Sequence, residues 1–86
     1  MEVRFSKRFK KQYKKLPPSH QKRFADRLRL WQDNPAHPLL NHHELVGKLK
    51  GMHSINIGGD LRAIYRVVDE TIFVYEMIGT HSQLYG

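Results

Sequence analysis

Two stretches in the first part of the chain repeat large apolar residues with a helical period. Four such residues of the first stretch share one face: Phe5, Phe9, Tyr13 and Leu16. Ser6 is a suitable N-cap for this helix, because its hydroxyl can accept a hydrogen bond from a free amide of the first turn. Pro17 and Pro18 cannot continue the helix and are expected to end it.

The second stretch has the same character. Its apolar residues recur at spacings of four and three: Phe24, Leu28 and Trp31. We predict Ser19 as the N-cap and the pair Asn34-Pro35 as the end of this helix. The two helices should form a hairpin whose aromatic residues, Trp31 included, pack into a core rather than bind a ligand.

After an irregular loop at residues 36–51, the pattern changes to that of strands. Three runs rich in Ile, Val and Tyr are separated by short turns: residues 52–57, 61–68 and 71–78. The last run is apolar on both faces, which predicts a central position in the sheet, and residues 3–5 could add a short strand beside it. The sequence therefore predicts a single small α+β domain over residues 1–86. Its order is β-α-α-β-β-β, with the helical hairpin on one face of a twisted antiparallel sheet.

Composition narrows the class of protein. The chain has 86 residues, of which 40% are hydrophobic, and it has no cysteine. Disulfide scaffolds, thiolate zinc sites and cysteine nucleophiles are thereby excluded. No apolar run approaches the ~18 residues of a membrane helix, and the first residues lack the apolar segment of a signal peptide. We expect a cytoplasmic protein without a membrane partner.

Positive charge is concentrated in the helical part of the chain. Residues 1–33 hold eleven basic and three acidic side chains, a net charge of +8, whereas residues 34–86 hold four basic and five acidic ones, a net charge of −1. Such a surface favours a polyanion, since each neutralised phosphate releases counterions. The expected contacts are five lysines of the first helix: Lys7, Lys10, Lys11, Lys14 and Lys15. A basic surface that only aids solubility and a helix bound to a membrane surface are the alternatives.

The middle strand carries candidate chemistry on the face that the helices leave open. Its alternation sends Arg62 and Arg66 to that face, where we expect Asn56, Asp60 and His81 nearby. An arginine fork matches two phosphate oxygens, although a surface salt bridge from Arg62 to a carboxylate of Glu76 or Asp69 is an equal alternative. A histidine, an arginine and an aromatic residue at the end of a sheet suffice for metal-free RNA cleavage, in which the 2′-hydroxyl attacks the adjacent phosphate.

Metal binding is not expected from the other histidines. His42 and His43 are adjacent, and neighbours in an extended chain point apart. No cysteine and no third ligand at a suitable spacing joins them. We therefore expect neither a metal nor a cofactor.

Four stretches of the sequence carry a family resemblance. They are His43-Glu44-Leu45, Leu49-Lys50-Gly51, Asp60-Leu61-Arg62-Ala63-Ile64-Tyr65 and Gly79-Thr80-His81-Ser82-Gln83-Leu84-Tyr85-Gly86. Together with the basic helical hairpin, they resemble the RelE/ParE superfamily of bacterial toxins and, within it, the YafQ-type mRNA interferases. The Gly-Thr-His ending is the pattern that is specific to the YafQ-like branch. The resemblance implies a RelE-like fold and the toxin component of a type II toxin-antitoxin system.

The resemblance also implies an activity and partners. The toxin would be a ribosome-dependent endoribonuclease that cuts translated mRNA. A cognate antitoxin would hold it inactive, and we expect this partner to be acidic and partly disordered. The residues that the resemblance assigns to catalysis are His43, Asp60, Arg62, His81 and Tyr85.

Each of these residues has an expected role. His81 and His43 exchange protons as acid and base, in either order, and Arg62 stabilises charge in the transition state. Asp60 orients or accepts, and Tyr85 stacks on a nucleotide. Asn56 stands where the branch has a histidine, and it cannot exchange a proton at neutral pH. Three more residues are expected to contact RNA with the helix lysines: Lys50, Asn56 and Arg66.

Two other functions stay open. A ParE-like toxin of the same fold would bind DNA gyrase without cleaving anything, and it would need no acid/base pair. A noncatalytic RNA-binding module would expose aromatic residues on its sheet face, where this sequence has few.

Overall fold

The protein is described by a computed structural model that covers residues 1–85. The strands of this part of the chain are β1 (Glu2–Phe5), β2 (His43–Glu44), β3 (His53–Gly58), β4 (Leu61–Val68) and β5 (Ile72–Thr80). The helices are α1 (Lys7–Lys14), α2 (Pro18–Asp33) and α3 (His81–Tyr85), and short 3₁₀ turns lie at Pro38–Leu40 and Gly47–Leu49. β4 has the predicted bounds, whereas β2 and α3 were not predicted. None of these helices has the length and apolar character needed to span a bilayer.

The five strands form one sheet in the order β1-β5-β4-β3-β2. β5 lies between β1 and β4, so the predicted central position of the last strand is confirmed. The sheet is mixed rather than wholly antiparallel, because β1 runs parallel to β5, with Glu2 opposite Ile72 and Phe5 opposite Tyr75. Parallel neighbouring strands need a long connection. Here two helices, α1 and α2, and three strands lie between β1 and β5 along the chain. The predicted α+β fold is otherwise confirmed.

Local capping chemistry sets the start of each long helix. Ser6 Oγ accepts a hydrogen bond from Phe9 N at 3.0 Å, as predicted for α1. The prediction of Ser19 as the cap of α2 is wrong: the helix begins at Pro18, with Pro17 as N-cap and no side-chain hydrogen bond. Proline suits the first turn because its φ is preset and it lacks an amide hydrogen that would go unpaired there.

α1 runs past the end of β1 and covers the remaining edge of β5. Gln12 Oε1 accepts a hydrogen bond from Ile78 N at 2.8 Å. Ser6 Oγ donates to Glu76 O at 3.1 Å. These two side chains therefore satisfy backbone groups of β5 that β1 is too short to reach.

The sheet face under α1 and α2 carries the main core, which is largely aromatic. Its buried residues include Phe9, Phe24, Trp31, Tyr65 and Tyr75. Trp31 is 1% exposed and packs edge-to-face on Tyr65 and Tyr75, at ring-centroid distances of 5.0 and 5.5 Å. The prediction that Trp31 belongs to the core is confirmed.

A smaller aliphatic core lies on the opposite face. Its buried residues are Leu45, Ile64 and Met77, and Leu49, Met52 and Leu84 pack against them. The sequence predicted an irregular loop and an open face here. Instead, the segment around β2 folds back over the sheet, with Leu45 N donating to Met52 O at 2.8 Å, and α3 packs beside it. The two segments leave a cavity between them.

Candidate active site

The cavity has a volume of about 520 Å³ and opens on the face that carries the smaller core. Residues 41–49 form one wall, α3 forms the other, and β3 and β4 supply the floor. The polar and aromatic residues that line it are Asn41, His43, Lys48, Ser54, Arg62, His81 and Tyr85. Four of the five residues predicted to be catalytic are therefore brought together, and Asp60 is the exception.

Arg62 reaches the cavity with its positive charge unpaired. Its Nη1 donates hydrogen bonds to Asn56 Oδ1 at 3.1 Å, Gly59 O at 3.0 Å and Leu61 O at 3.3 Å. The ion pairs found in residues 1–85 do not include Arg62, so the alternative of a salt bridge to a carboxylate is not realised. Nε and Nη2 make no hydrogen bond within this part of the chain and form a fork that can bind an anion.

α3 presents two rings to the cavity. His81 and Tyr85 are one helical turn apart, with ring centroids 4.7 Å from each other. A capping box fixes the start of the helix: Thr80 Oγ1 accepts from Gln83 N at 3.2 Å, and Gln83 Oε1 accepts from Thr80 N at 2.8 Å. His81 N also donates to Asp60 O at 3.2 Å. The Gly-Thr-His ending thus places an imidazole and a phenol ring beside the turn between β3 and β4.

His43 lies on the cavity side of the chain. Its Nδ1 donates to Asn41 O at 2.8 Å, because a carbonyl can only accept, and Nε2 makes no hydrogen bond within residues 1–85. The adjacent His42 points to the other face, where its Nε2 lies 2.6 Å from Tyr65 Oη. Burial, followed by the nearby charges of His53 and His43, lowers the pKa of His42 below its ordinary value. The two histidines point apart, as predicted.

Within residues 1–85, no three His, Asp or Glu side chains converge in a way that could hold a metal ion. What the cavity does offer is imidazole rings, a guanidinium and an ammonium group around one concave surface. Such a set can transfer protons and neutralise phosphate charge.

The sequence analysis did not predict several residues that line the cavity, among them Lys48 and Ser54. Lys48 lies in the 3₁₀ turn Gly47–Leu49, beside Leu49, which packs into the smaller core. Leu49 is the signal that could have identified Lys48, because the residue next to a core leucine points away from that core. Ser54 is 1% exposed, and its hydroxyl has no hydrogen-bond partner among residues 1–85. Nothing in the sequence distinguishes it from an ordinary core serine.

Several predicted site residues lie outside the lining of the cavity. They are Asn56, Asp60, Arg66, Lys50 and the five lysines at positions 7, 10, 11, 14 and 15. Arg66 is paired with Glu76 at 3.4 Å. Asp60 lies in the exposed turn after β3, and its carboxylate joins none of the ion pairs of residues 1–85. The roles of these residues stay predictions.

The model of a family described as "Bacterial toxin of type II toxin-antitoxin system, YafQ" matches residues 1–86. The chain belongs to the YafQ toxin family. It is therefore the toxin component of a type II toxin-antitoxin system, as the resemblance implied. No curated protein sequence matches the chain at a significant level.

Solved structures of YafQ and related toxins share the fold. YafQ from Escherichia coli strain BL21(DE3) matches with a TM-score of 0.83 at 24% identity, over 99% of this chain and 98% of that chain. A YoeB/ParE toxin from Agrobacterium tumefaciens matches with a TM-score of 0.77 at 18% identity, over 94% and 99% of the two chains. The E. coli DinJ-YafQ toxin-antitoxin complex matches with a TM-score of 0.69 at 26% identity, over 99% and 97%. These relatives confirm the predicted RelE-like fold of this YafQ-family toxin.

Proposed function

We propose that this YafQ-family toxin is a ribosome-dependent endoribonuclease that cleaves mRNA without a metal ion. The observation that carries the proposal is the meeting of two histidines, an unpaired arginine and a partly exposed tyrosine around one cavity. His43 comes from β2, Arg62 from β4, and both His81 and Tyr85 from α3. Together they supply proton transfer, charge stabilisation and base stacking.

The RNA supplies its own nucleophile in this reaction. One histidine removes the proton of the 2′-hydroxyl, whose oxygen then attacks the adjacent phosphorus. The other histidine donates a proton to the 5′-oxygen as its bond to phosphorus breaks. The products are a 2′,3′-cyclic phosphate and a 5′-hydroxyl, and no water, metal ion or covalent enzyme intermediate takes part.

Arg62 stabilises the charge that develops on the phosphate. Its free Nε and Nη2 match two non-bridging oxygens, which become more negative as the 2′-oxygen attacks. Lys48 adds a second positive group to the same cavity. Because no carboxylate pairs with Arg62 within residues 1–85, its full charge is available to the substrate.

Two further groups position the nucleotide. The Tyr85 side chain is 39% exposed at the edge of the cavity, and stacking one base on it is worth about 1–3 kcal/mol. Asp60 lies in the turn whose backbone accepts a hydrogen bond from His81 N. From there it orients the substrate or accepts a hydrogen bond from it.

The basic surface of α1 is proposed to hold the ribosome. Its lysines are exposed, and none takes part in the ion pairs found in residues 1–85. They would bind rRNA phosphates without reading sequence, and Lys50 and Arg66 would contact RNA nearer the cavity. A cytoplasmic location follows from this partner.

The antitoxin is proposed to bind between the two long helices. A groove of about 450 Å³ lies there, with Phe5, Phe9, Tyr13, Phe24 and Leu28 in its lining. Lys10 and Lys14 also line it, so an acidic amphipathic segment would match both its apolar surface and its charge. A related toxin is known in a toxin-antitoxin complex with DinJ, which supports a protein partner of this kind.

Cell-free translation with added toxin, followed by mapping of mRNA ends, tests the nuclease. Codon-phased cuts with 2′,3′-cyclic phosphate ends are expected for the wild type. His81→Ala and Arg62→Ala should each slow cleavage by roughly 10²–10³-fold, because each removes a group that acts in the transition state. His20→Ala and Arg29→Ala, which change the same residue types on α2, are the matched controls and should cleave normally.

The same assay separates the alternatives. Blocked translation with intact message would support a noncatalytic RNA-binding module. Loss of DNA supercoiling activity without either effect would support a ParE-like gyrase inhibitor. Full cleavage by both cavity variants would contradict the proposed site.

A further inference from the structure

One side chain and two backbone oxygens within residues 1–85 accept hydrogen bonds from the Arg62 guanidinium. Its Nη1 has three acceptors within residues 1–85, and two of them are backbone oxygens, those of Gly59 and Leu61. The third is Asn56 Oδ1, at 3.1 Å. Backbone acceptors stay in place when side chains are changed, so Asn56 is the contact that a substitution can remove.

Both the side-chain oxygen and the main-chain oxygen of Asn56 accept further hydrogen bonds. Its Oδ1 also accepts a hydrogen bond from Gly58 N at 2.9 Å, and its main-chain oxygen accepts one from Arg27 Nη1 at 3.0 Å. The second bond joins β3 to α2. β3 bulges here, since Asn56 faces Arg62 while Gly58 faces Leu61, and the residue between them has no partner. The carboxamide is therefore fixed against the hairpin instead of facing the cavity.

We propose that Asn56 is a positioning residue that acts through Arg62. Its carboxamide oxygen holds Nη1, so that Nε and Nη2 are the atoms presented to the scissile phosphate. This inference rests on the proposed function, and it gives Asn56 a role other than direct contact with RNA.

The chemical type of the residue matters for this role. A carboxamide oxygen accepts hydrogen bonds at every ordinary pH and carries no charge. It therefore orients the guanidinium without neutralising it. A carboxylate at the same position would hold Nη1 equally well but would pair with the guanidinium and reduce the charge offered to the phosphate.

A double-mutant cycle on mRNA cleavage tests whether Asn56 acts through Arg62. Asn56→Ala is expected to lower kcat about tenfold with little change in KM, because a misplaced group costs transition-state stabilisation. In the Arg62→Ala background the same substitution should cost nothing further in kcat, since Asn56 then has no guanidinium to orient. Asn34→Ala, at the exposed end of α2, is the matched control. A further tenfold loss in the double variant, or full activity of Asn56→Ala, would overturn the inference.

A second measurement reads the anchor without any cleavage. In ¹⁵N NMR of the free protein, the Arg62 guanidinium should rotate slowly in the wild type and in Asn56→Asp, and should lose this restraint in Asn56→Ala. Asn56→Asp should nevertheless lower kcat at least as much as Asn56→Ala does, and wild-type activity in Asn56→Asp would contradict the neutral anchor. Unchanged rotation in Asn56→Ala overturns the inference even if message is cleaved. A wild type that cleaves no message but shows the Asn56-dependent restraint overturns the proposed function and leaves the anchor supported.

Discussion

The two faces of the sheet are built differently. The face under α1 and α2 is closed by a large aromatic core, in which Trp31 and Tyr75 are at most 1% exposed. The opposite face has a small aliphatic core and an open cavity. β4 serves both, since Tyr65 points into the aromatic core while Arg62 and Ile64 point to the other face. The aromatic core on one face of the sheet therefore stabilises β4, and the same strand carries Arg62 on the other face.

The covering elements differ as much as the cores. Helices of 8 and 16 residues cover the aromatic face. The cavity is covered by a strand of two residues, a 3₁₀ turn of three and a helix of five. Elements this short have little stability of their own and depend on contacts with the sheet. We therefore expect global unfolding to be governed by the aromatic face and local opening to occur on the cavity face.

The largest expected effect comes from breaking the aromatic face. Trp31→Ala should lower the free energy of unfolding by about 3–5 kcal/mol, because it leaves a cavity in the core. Chemical denaturation followed by circular dichroism measures this. Leu39→Ala, at a residue that is 55% exposed, is the control and should change the free energy by less than about 0.5 kcal/mol. A loss of under about 1 kcal/mol for Trp31→Ala would contradict the assignment of stability to this face.

A smaller and local effect is expected from the capping box of α3. Thr80→Ala removes one of its two hydrogen bonds and should cost about 1 kcal/mol. Amide hydrogen exchange should accelerate at residues 81–85 and stay unchanged in β4 and β5, while mRNA cleavage falls because His81 and Tyr85 lose their positions. Ser82→Ala, in the same helix, is the control. If the amides of β5 also exchange faster, the cavity face does not open independently.

The smallest expected effect is a pH dependence at the rim of the aromatic face. The lowered pKa of His42, whose ordinary value is 6.5, means that the folded protein binds this proton more weakly than the unfolded chain does. The stabilisation is thus complete above pH 6.5 and is lost as the pH falls through the lower folded-state pKa. Thermal melting should show a midpoint that decreases on acidification, and His42→Gln should flatten this slope while His20→Gln preserves it. A midpoint that rises on acidification would reverse the assigned direction.

Features that depend on local chemistry could be predicted from the sequence. The bounds of β4 follow from a run rich in Ile, Val and Tyr between two short turns, and the two-residue period of a strand assigns Arg62 and Tyr65 to opposite faces. Ser6 is followed directly by an amphipathic helix, so its role as N-cap could be predicted as well. His81 and Tyr85 were predicted as site residues, but α3, the helix that brings their rings together, was not predicted.

Features that depend on distant contacts could not be predicted. Leu45 and Leu49 lie in the segment predicted to be an irregular loop, and their burial with Met52 appears only when the three residues meet Ile64 and Met77 across the sheet. The direction of β1 is set by the path of the whole chain. The sequence marks Asn56 only as a position where the family resemblance would place a histidine. Its hydrogen bond to Arg62 could not be predicted, because it depends on a bulge that forms in the folded hairpin of β3 and β4.

The Gln12 side chain limits the addition of another strand to the sheet. An uncovered strand edge is a template for pairing with another chain, and it favours aggregation. Gln12 and Ser6 already occupy Ile78 N and Glu76 O on the outer side of β5, so an incoming strand finds those groups taken. At the far side, β2 offers only two residues, too few for stable strand addition. Edge-to-edge pairing is thereby disfavoured along the part of β5 that β1 does not cover and at β2.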